Sequence, residues 1–236
     1  MKKSHLIILA SLFLFIVSFF ILKDDSGFMI SDIEHVVPNP SEGIKIIALG
    51  DSLTAGYGLS KEDSYPSILE TKLKGLGLNV LVVNEGVNGD VAGEVLARVD
   101  DIKAQEPNIV LLGIGGNDAL RSIDLDQTYN NLDQTILSLK AGENAPVVIL
   151  LQMKAPITSG LGYVEKFNSM YEELSKKHKI LLLPFMTSEV FLDKNNKISD
   201  GIHFNREGYE KIVDLYLLET LVEVVEKIEN NISDFS

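Results

Sequence analysis

Five short apolar runs recur through the chain: Ile44–Leu49, Val80–Val83, Ile109–Ile114, Val147–Leu151 and Ile180–Leu183. Each is near-continuous rather than alternating, the pattern of strands buried on both faces. Amphipathic segments separate them. Ser64 stands where a helix cap belongs, with Pro66 in the first turn and Ile68, Leu69 and Leu73 inside. Val91, Val95, Val99 and Ile102 fall at helical spacing, as do Tyr129, Leu132, Ile136 and Leu139, and Val164, Phe167, Tyr171 and Leu174. A last helix is expected from about Asn205 to Glu229, with Ile212, Tyr216 and Val224 facing inward. Strands alternating with helices predict an α/β fold, a parallel sheet with helices on both faces. Functional residues in such a fold lie beyond the carboxyl ends of the strands.

The chain has 236 residues, 45% of them hydrophobic, enough for one domain with one core. We place that domain at 44–231. Ahead of it, Lys2 and Lys3 precede an apolar run from Leu6 to Leu22. At about 17 residues this run lies between a secretory signal core and a spanning helix. No small residues mark a cleavage site in Phe19–Asp24. Residues 1–23 are therefore expected to be an uncleaved membrane anchor rather than a cleaved signal, with the lysines on the cytoplasmic side. Residues 24–43, with Pro38, Pro40 and Gly43, read as a tether. The domain is then exported to the cell envelope or periplasm, held at the inner membrane or, if the segment is cleaved, secreted. The net charge of -13 argues against nucleic acid as a partner and against electrostatic docking of the folded domain on a bilayer. The absence of cysteine excludes disulfides, thiolate metal sites and a cysteine nucleophile. The histidines do not cluster, so neither a metal nor a cofactor is expected. No sequence feature sets an oligomeric state.

Candidate chemistry sits in the turns. The first strand runs straight into Gly50-Asp51-Ser52-Leu53-Thr54, which presents a serine hydroxyl at the sheet edge. Thr54 breaks the Gly-x-Ser-x-Gly elbow pattern, and a serine here is also an ordinary helix cap. Of the four histidines, only His203 has a carboxylate three residues before it, Asp200. A carboxylate at that distance can accept a proton from one imidazole nitrogen and leave the other as a base; it can equally form a structural pair. Asn117 follows Gly115 and Gly116 at a strand end, where its amide can donate to an oxyanion or simply serve the turn. The N–H of Gly89, ahead of a helix that Asp90 could cap, is a further donor.

Together these turns resemble the GDSL, or SGNH, hydrolase family. Gly50–Gly58 is similar to the first family block, Asn84–Asp90 to the second, Gly115–Asp118 to the third and Asp200–His203 to the fifth. Leu182-Leu183-Pro184-Phe185 and Asp200-Gly201-Ile202-His203 are most similar to the bacterial multifunctional acyl thioesterase, lysophospholipase and arylesterase branch. The resemblance spans nearly the whole domain; Val91 departs from it, standing where a small hydroxyl residue is common. It implies a flavodoxin-like three-layer α/β/α sandwich with a five-stranded parallel sheet. It also implies Ser52 as nucleophile, His203 as base and Asp200 as orienting acid, with Ser52, Gly89 and Asn117 as oxyanion donors. The activity implied is serine hydrolysis of esters or thioesters: lysophospholipid, fatty acyl or aryl. The loop Lys154–Gly162 is expected to cover an acyl groove lined by Leu120, Ile157 and Leu161. An O-acetyl esterase acting on cell-wall or other glycans is the alternative within the family, and a tethered binding domain without catalysis the alternative outside it. The phosphate-loop and dinucleotide glycine motifs are absent, which argues against nucleotide binding.

Overall fold

The computed structural model describes residues 43–156 and 159–233. The run at 6–22 and all of the tether except Gly43 lie outside the described residues, so the anchor and its boundaries remain expectations. Among the described residues, no helix is long and apolar enough to cross a membrane.

The five apolar runs form five parallel strands: β1 (Ile44–Gly50), β2 (Val80–Gly86), β3 (Ile109–Gly113), β4 (Val147–Gln152) and β5 (Leu181–Pro184), ordered β2-β1-β3-β4-β5. Ile46 to Leu49 and Ile109 to Leu112 are fully buried, because helices cover both faces. β2 runs three residues past its apolar stretch. Asn84, Glu85 and Gly86 pair with Ala48, Leu49 and Gly50, so the backbone ladder, not side-chain polarity, sets where the strand stops. β5 starts one residue later than Ile180 suggests. The Ile180 N–H donates to the Ser175 carbonyl and its own carbonyl accepts from Ser175 Oγ, which commits that residue to closing the preceding helix.

After β1 come α1 (Ser52–Ala55) and α2 (Tyr65–Gly75). α3 (Ala92–Ala97) and α4 (Val99–Lys103) follow β2, and α5 (Gly116–Leu120) and α6 (Leu125–Leu139) follow β3. α7 (Leu161–His178) follows β4. α8 (Ser188–Phe191), α9 (Arg206–Ile212) and α10 (Leu218–Ser233) follow β5. α2 packs with α9 and α10 on one face of the sheet; α3, α4, α6 and α7 pack together on the other. Ser64 occupies the capping position of α2, but its hydroxyl donates to the Lys61 carbonyl instead of capping. The last helix is broken in two by a π turn over Val213–Leu217. Tyr209 and Ile212 set one inward stripe; Leu217, Leu221, Val224 and Ile228 set a second, displaced by about one residue, and all are fully buried. The extra residue of the π turn brings both stripes onto the core.

Three glycines stand side by side at the carboxyl edge of the sheet: Gly86, Gly50 and Gly113. A Cβ on Gly50 would lie 2.2 Å from the Gly113 carbonyl oxygen, and one on Gly86 would lie 2.1 Å from the Ala55 nitrogen. Their bareness lets α1 sit directly on the strand ends. The strand order also reverses between β1 and β3, and the crevice at that switch point is where an α/β sheet of this order holds its ligand.

Candidate active site

Ser52 is the first residue of α1. Asp51 precedes it, with Oδ1 accepting from the Leu53 N–H at 2.9 Å. The Asn84 amide donates to the Thr54 carbonyl at 2.9 Å, and the Tyr209 hydroxyl donates to the Leu53 carbonyl at 2.8 Å. This last bond ties α9 to α1 across 156 residues. Phe204, between His203 and α9, is buried edge-on against Phe185 and Tyr209, at centroid distances of 6.5 and 5.5 Å. The aromatic cluster and the tyrosine bond together carry the segment after β5 over to the Ser52 turn.

That segment is a tight hairpin. Lys197 bridges Phe204, and the Ile198 N–H donates to the His203 carbonyl at 3.0 Å. Asp200 Oδ1 accepts from the Ile202 and His203 N–H groups at 2.9 and 3.0 Å, while Oδ2 lies 2.6 Å from His203 Nδ1. His203 Nε2 lies 2.8 Å from Ser52 Oγ. With the carboxylate accepting the Nδ1 proton, Nε2 is left to accept the serine hydroxyl. Burial alone would raise the Asp200 pKa. The Ile202 N–H, the imidazole and the His203 N–H outweigh it and hold the carboxyl below its usual range. Asp200 is therefore ionised at neutral pH. The Tyr57 ring lies against the imidazole, centroids 4.7 Å apart.

Asn117 sits in α5 beyond β3. Gly115 adopts φ +116°, a conformation L side chains avoid, and a Cβ there would meet the Tyr171 hydroxyl at 2.4 Å. Asn117 Nδ2 donates to the Asp90 carbonyl at 3.0 Å and stands 3.4 Å from Asp51 Oδ2. Gly89, at φ +88°, and Asn117 line the same cavity as Ser52 and His203. Val91, not Asp90, caps α3. The Asp90 carboxylate instead pairs with Arg98 at 3.0 Å, and Arg98 Nη2 also donates to the carbonyls of Glu85 and Gly50 at 2.9 and 3.2 Å. Arg98 thus fixes the ends of β1 and β2 together with the loop behind Gly89. Sequence reasoning missed it, since nothing local marks its partners.

The Asp51 carboxyl is pushed up to about 6, first by burial, with the charges of Asp118 and Asp90 adding to it; the Leu53 N–H and the His203 charge oppose the rise. A folded-state value above the unfolded one means that the native state takes up the proton first as the pH falls. Holding Asp51 ionised above pH 6 therefore costs the fold about 3 kcal/mol, a cost that disappears as the pH falls from 6 towards 4. Asp51→Asn, which keeps the acceptor for Leu53, is expected to stabilise the protein by up to about 3 kcal/mol at pH 8 and by nothing at pH 4. Denaturant unfolding at both pH values checks this.

The cavity has a volume of about 790 Å³. Leu120, Pro156, Val164, Met186, Phe191 and Ile202 are among its apolar lining residues. Leu120, one of the residues singled out from the sequence, is thus in the cavity wall. Ile157 lies outside the described residues. Leu161 needs correction: it is 80% exposed and is not among the lining residues. It belongs to the first turn of α7, and the helix joins the cavity wall one and two turns later, at Val164 and Asn168. The residues after β5 were missed because their apolar character reads equally well as core. Among the described residues, no group of three or more His, Cys, Asp or Glu is placed to hold a metal.

A parallel sheet in this order, with serine, imidazole and carboxylate linked over an apolar cavity at its switch point, is the arrangement of a serine hydrolase. Comparison with known proteins agrees. The chain belongs to the GDSL-like Lipase/Acylhydrolase family, whose model matches residues 48–211. It is 36% identical over 170 residues to the Escherichia coli thioesterase 1/protease 1/lysophospholipase L1, covering 72% of this chain and 79% of that one. It is 33% identical over 177 residues to the Vibrio mimicus arylesterase, covering 74% and 87%. Among solved structures, the SGNH-hydrolase family esterase AlinE4 matches with a TM-score of 0.63 at 34% identity, over 73% of this chain and 92% of that one. The protein is an enzyme of the esterase and thioesterase class.

Proposed function

We propose that the protein hydrolyses acyl esters or thioesters in two steps through Ser52, His203 and Asp200. The observation that carries this reading is the relay of 2.8 Å from Ser52 Oγ to His203 Nε2 and 2.6 Å from Nδ1 to Asp200. His203 takes the Ser52 proton as Oγ attacks the carbonyl carbon, and the carbonyl oxygen becomes an oxyanion. The N–H groups of Ser52 and Gly89 and the Asn117 amide hold that oxyanion. His203 then gives its proton to the departing alcohol or thiol, which leaves acyl-Ser52. Water adds to the acyl carbon as His203 takes its proton, and collapse releases the acid and returns the proton to Ser52. Ionised Asp200 keeps Nδ1 protonated throughout and stabilises the imidazolium.

The apolar cavity supports an acyl chain of medium length or longer as the substrate group, as in fatty acyl esters, thioesters and lysophospholipids; Leu120 contributes to its wall. Residues 1–23 would hold the domain at the outer face of the inner membrane, beside such substrates. We expect kcat/KM for p-nitrophenyl decanoate to exceed that for the butyrate by at least about tenfold, equivalent to burying two of the extra methylenes. A preference for acetyl esters, with acetate released from O-acetylated glycans, would contradict the acyl-chain reading and favour the glycan esterase alternative.

A further inference from the structure

The turn that carries Asp200 and His203 is anchored on one side by the packing of Phe204 and Tyr57 and is closed by hydrogen bonds around Gly201. Gly201, at its centre, has φ +71° and open space where a side chain would stand. Its carbonyl accepts from Lys197 Nζ at 3.0 Å. The same ammonium stands 3.5 Å over the Phe191 ring centroid. Phe191 lines the cavity and packs edge-on against Phe204, centroids 5.9 Å apart. Ile202, next to Gly201, lines the cavity as well. One cation therefore grips both the wall a substrate touches and the backbone between the orienting acid and the base. Phe191 is thus shared between the cavity wall and the ammonium.

We propose that Lys197 is a positioning residue that couples filling of the apolar cavity at Phe191 to alignment of His203 on Ser52. An acyl chain lying against Phe191 braces the ring under the ammonium. The braced ammonium holds the Gly201 carbonyl and with it the Asp200–His203 turn. A short acyl group leaves the ring unbraced. Chain length is then read in kcat as well as in KM. The proposal rests on the serine esterase reading above.

The test uses the full chain and compares kcat and KM for p-nitrophenyl butyrate and decanoate in wild type, Lys197→Met and Lys197→Arg. Methionine keeps the apolar stem and removes both the charge and the donor; arginine restores both. Lys197→Met is expected to lower kcat for the decanoate about tenfold and to leave kcat for the butyrate within about twofold. Lys197→Arg should recover most of the loss. An equal loss on both esters, an effect confined to KM, or no change overturns the proposal. Should Lys197→Met not fold, Lys197→Gln, which keeps a donor but no charge, must show the same selective loss. Failure of the underlying reading looks different: turnover of either ester would then survive Ser52→Ala.

Discussion

Ser52→Ala is expected to give a folded protein whose ester turnover falls on the order of 10⁴- to 10⁶-fold. The side chain that is lost contributes one bond to the site, from Oγ to His203 Nε2. The turn that presents it is held by other groups: Asp51 Oδ1 on the Leu53 N–H, the Asn84 amide on the Thr54 carbonyl and the Tyr209 hydroxyl on the Leu53 carbonyl. The thermal midpoint should therefore stay close to that of wild type while kcat collapses. Among the described residues no other hydroxyl is hydrogen-bonded to Nε2, so the residual rate should be small. A variant that kept even a tenth of the wild-type kcat would remove Ser52 as nucleophile.

Asn117→Ala should cost roughly 100- to 1000-fold in kcat, about 3 to 4 kcal/mol of transition-state stabilisation, with little change in KM. An oxyanion donor acts on charge that develops only during reaction, so substrate binding is mostly spared. The amide also donates to the Asp90 carbonyl at 3.0 Å, so the substitution leaves that acceptor unpaired and lowers stability by a separate amount, about 1 kcal/mol. Measuring both kcat and unfolding free energy separates the two effects. A rise in KM with kcat unchanged would assign Asn117 to ground-state binding instead.

What could be read from the sequence is what local chemistry decides. Buried parallel strands announce themselves as apolar runs, and all five were found. The Asp200–His203 pair lies within one turn, so its geometry follows from spacing. Other features depend on distant partners. β2 extends to Gly86 because β1 is there to pair with it. The π turn after Ile212 adjusts a long helix to a core assembled from elsewhere in the chain. Arg98 reaches carbonyls 13 and 48 residues away, and Tyr209 holds α1 from 156 residues away. Leu161 went astray for a local reason: Pro156, Gly160 and Gly162 mark Lys154–Gly162 as a loop, whereas the helix already begins at Leu161 and turns that side chain to solvent. The meeting of Ser52 with His203 across 151 residues could be inferred by placing both at the same edge of a parallel sheet, and from the resemblance of their turns to the SGNH blocks.

The most direct test of the central claim is covalent labelling with a fluorophosphonate, followed by peptide mapping of the adduct. The relay predicts a single stoichiometric adduct on Ser52, absent in Ser52→Ala and formed far more slowly in His203→Ala. An adduct on another residue, or labelling at the wild-type rate without His203, would contradict it.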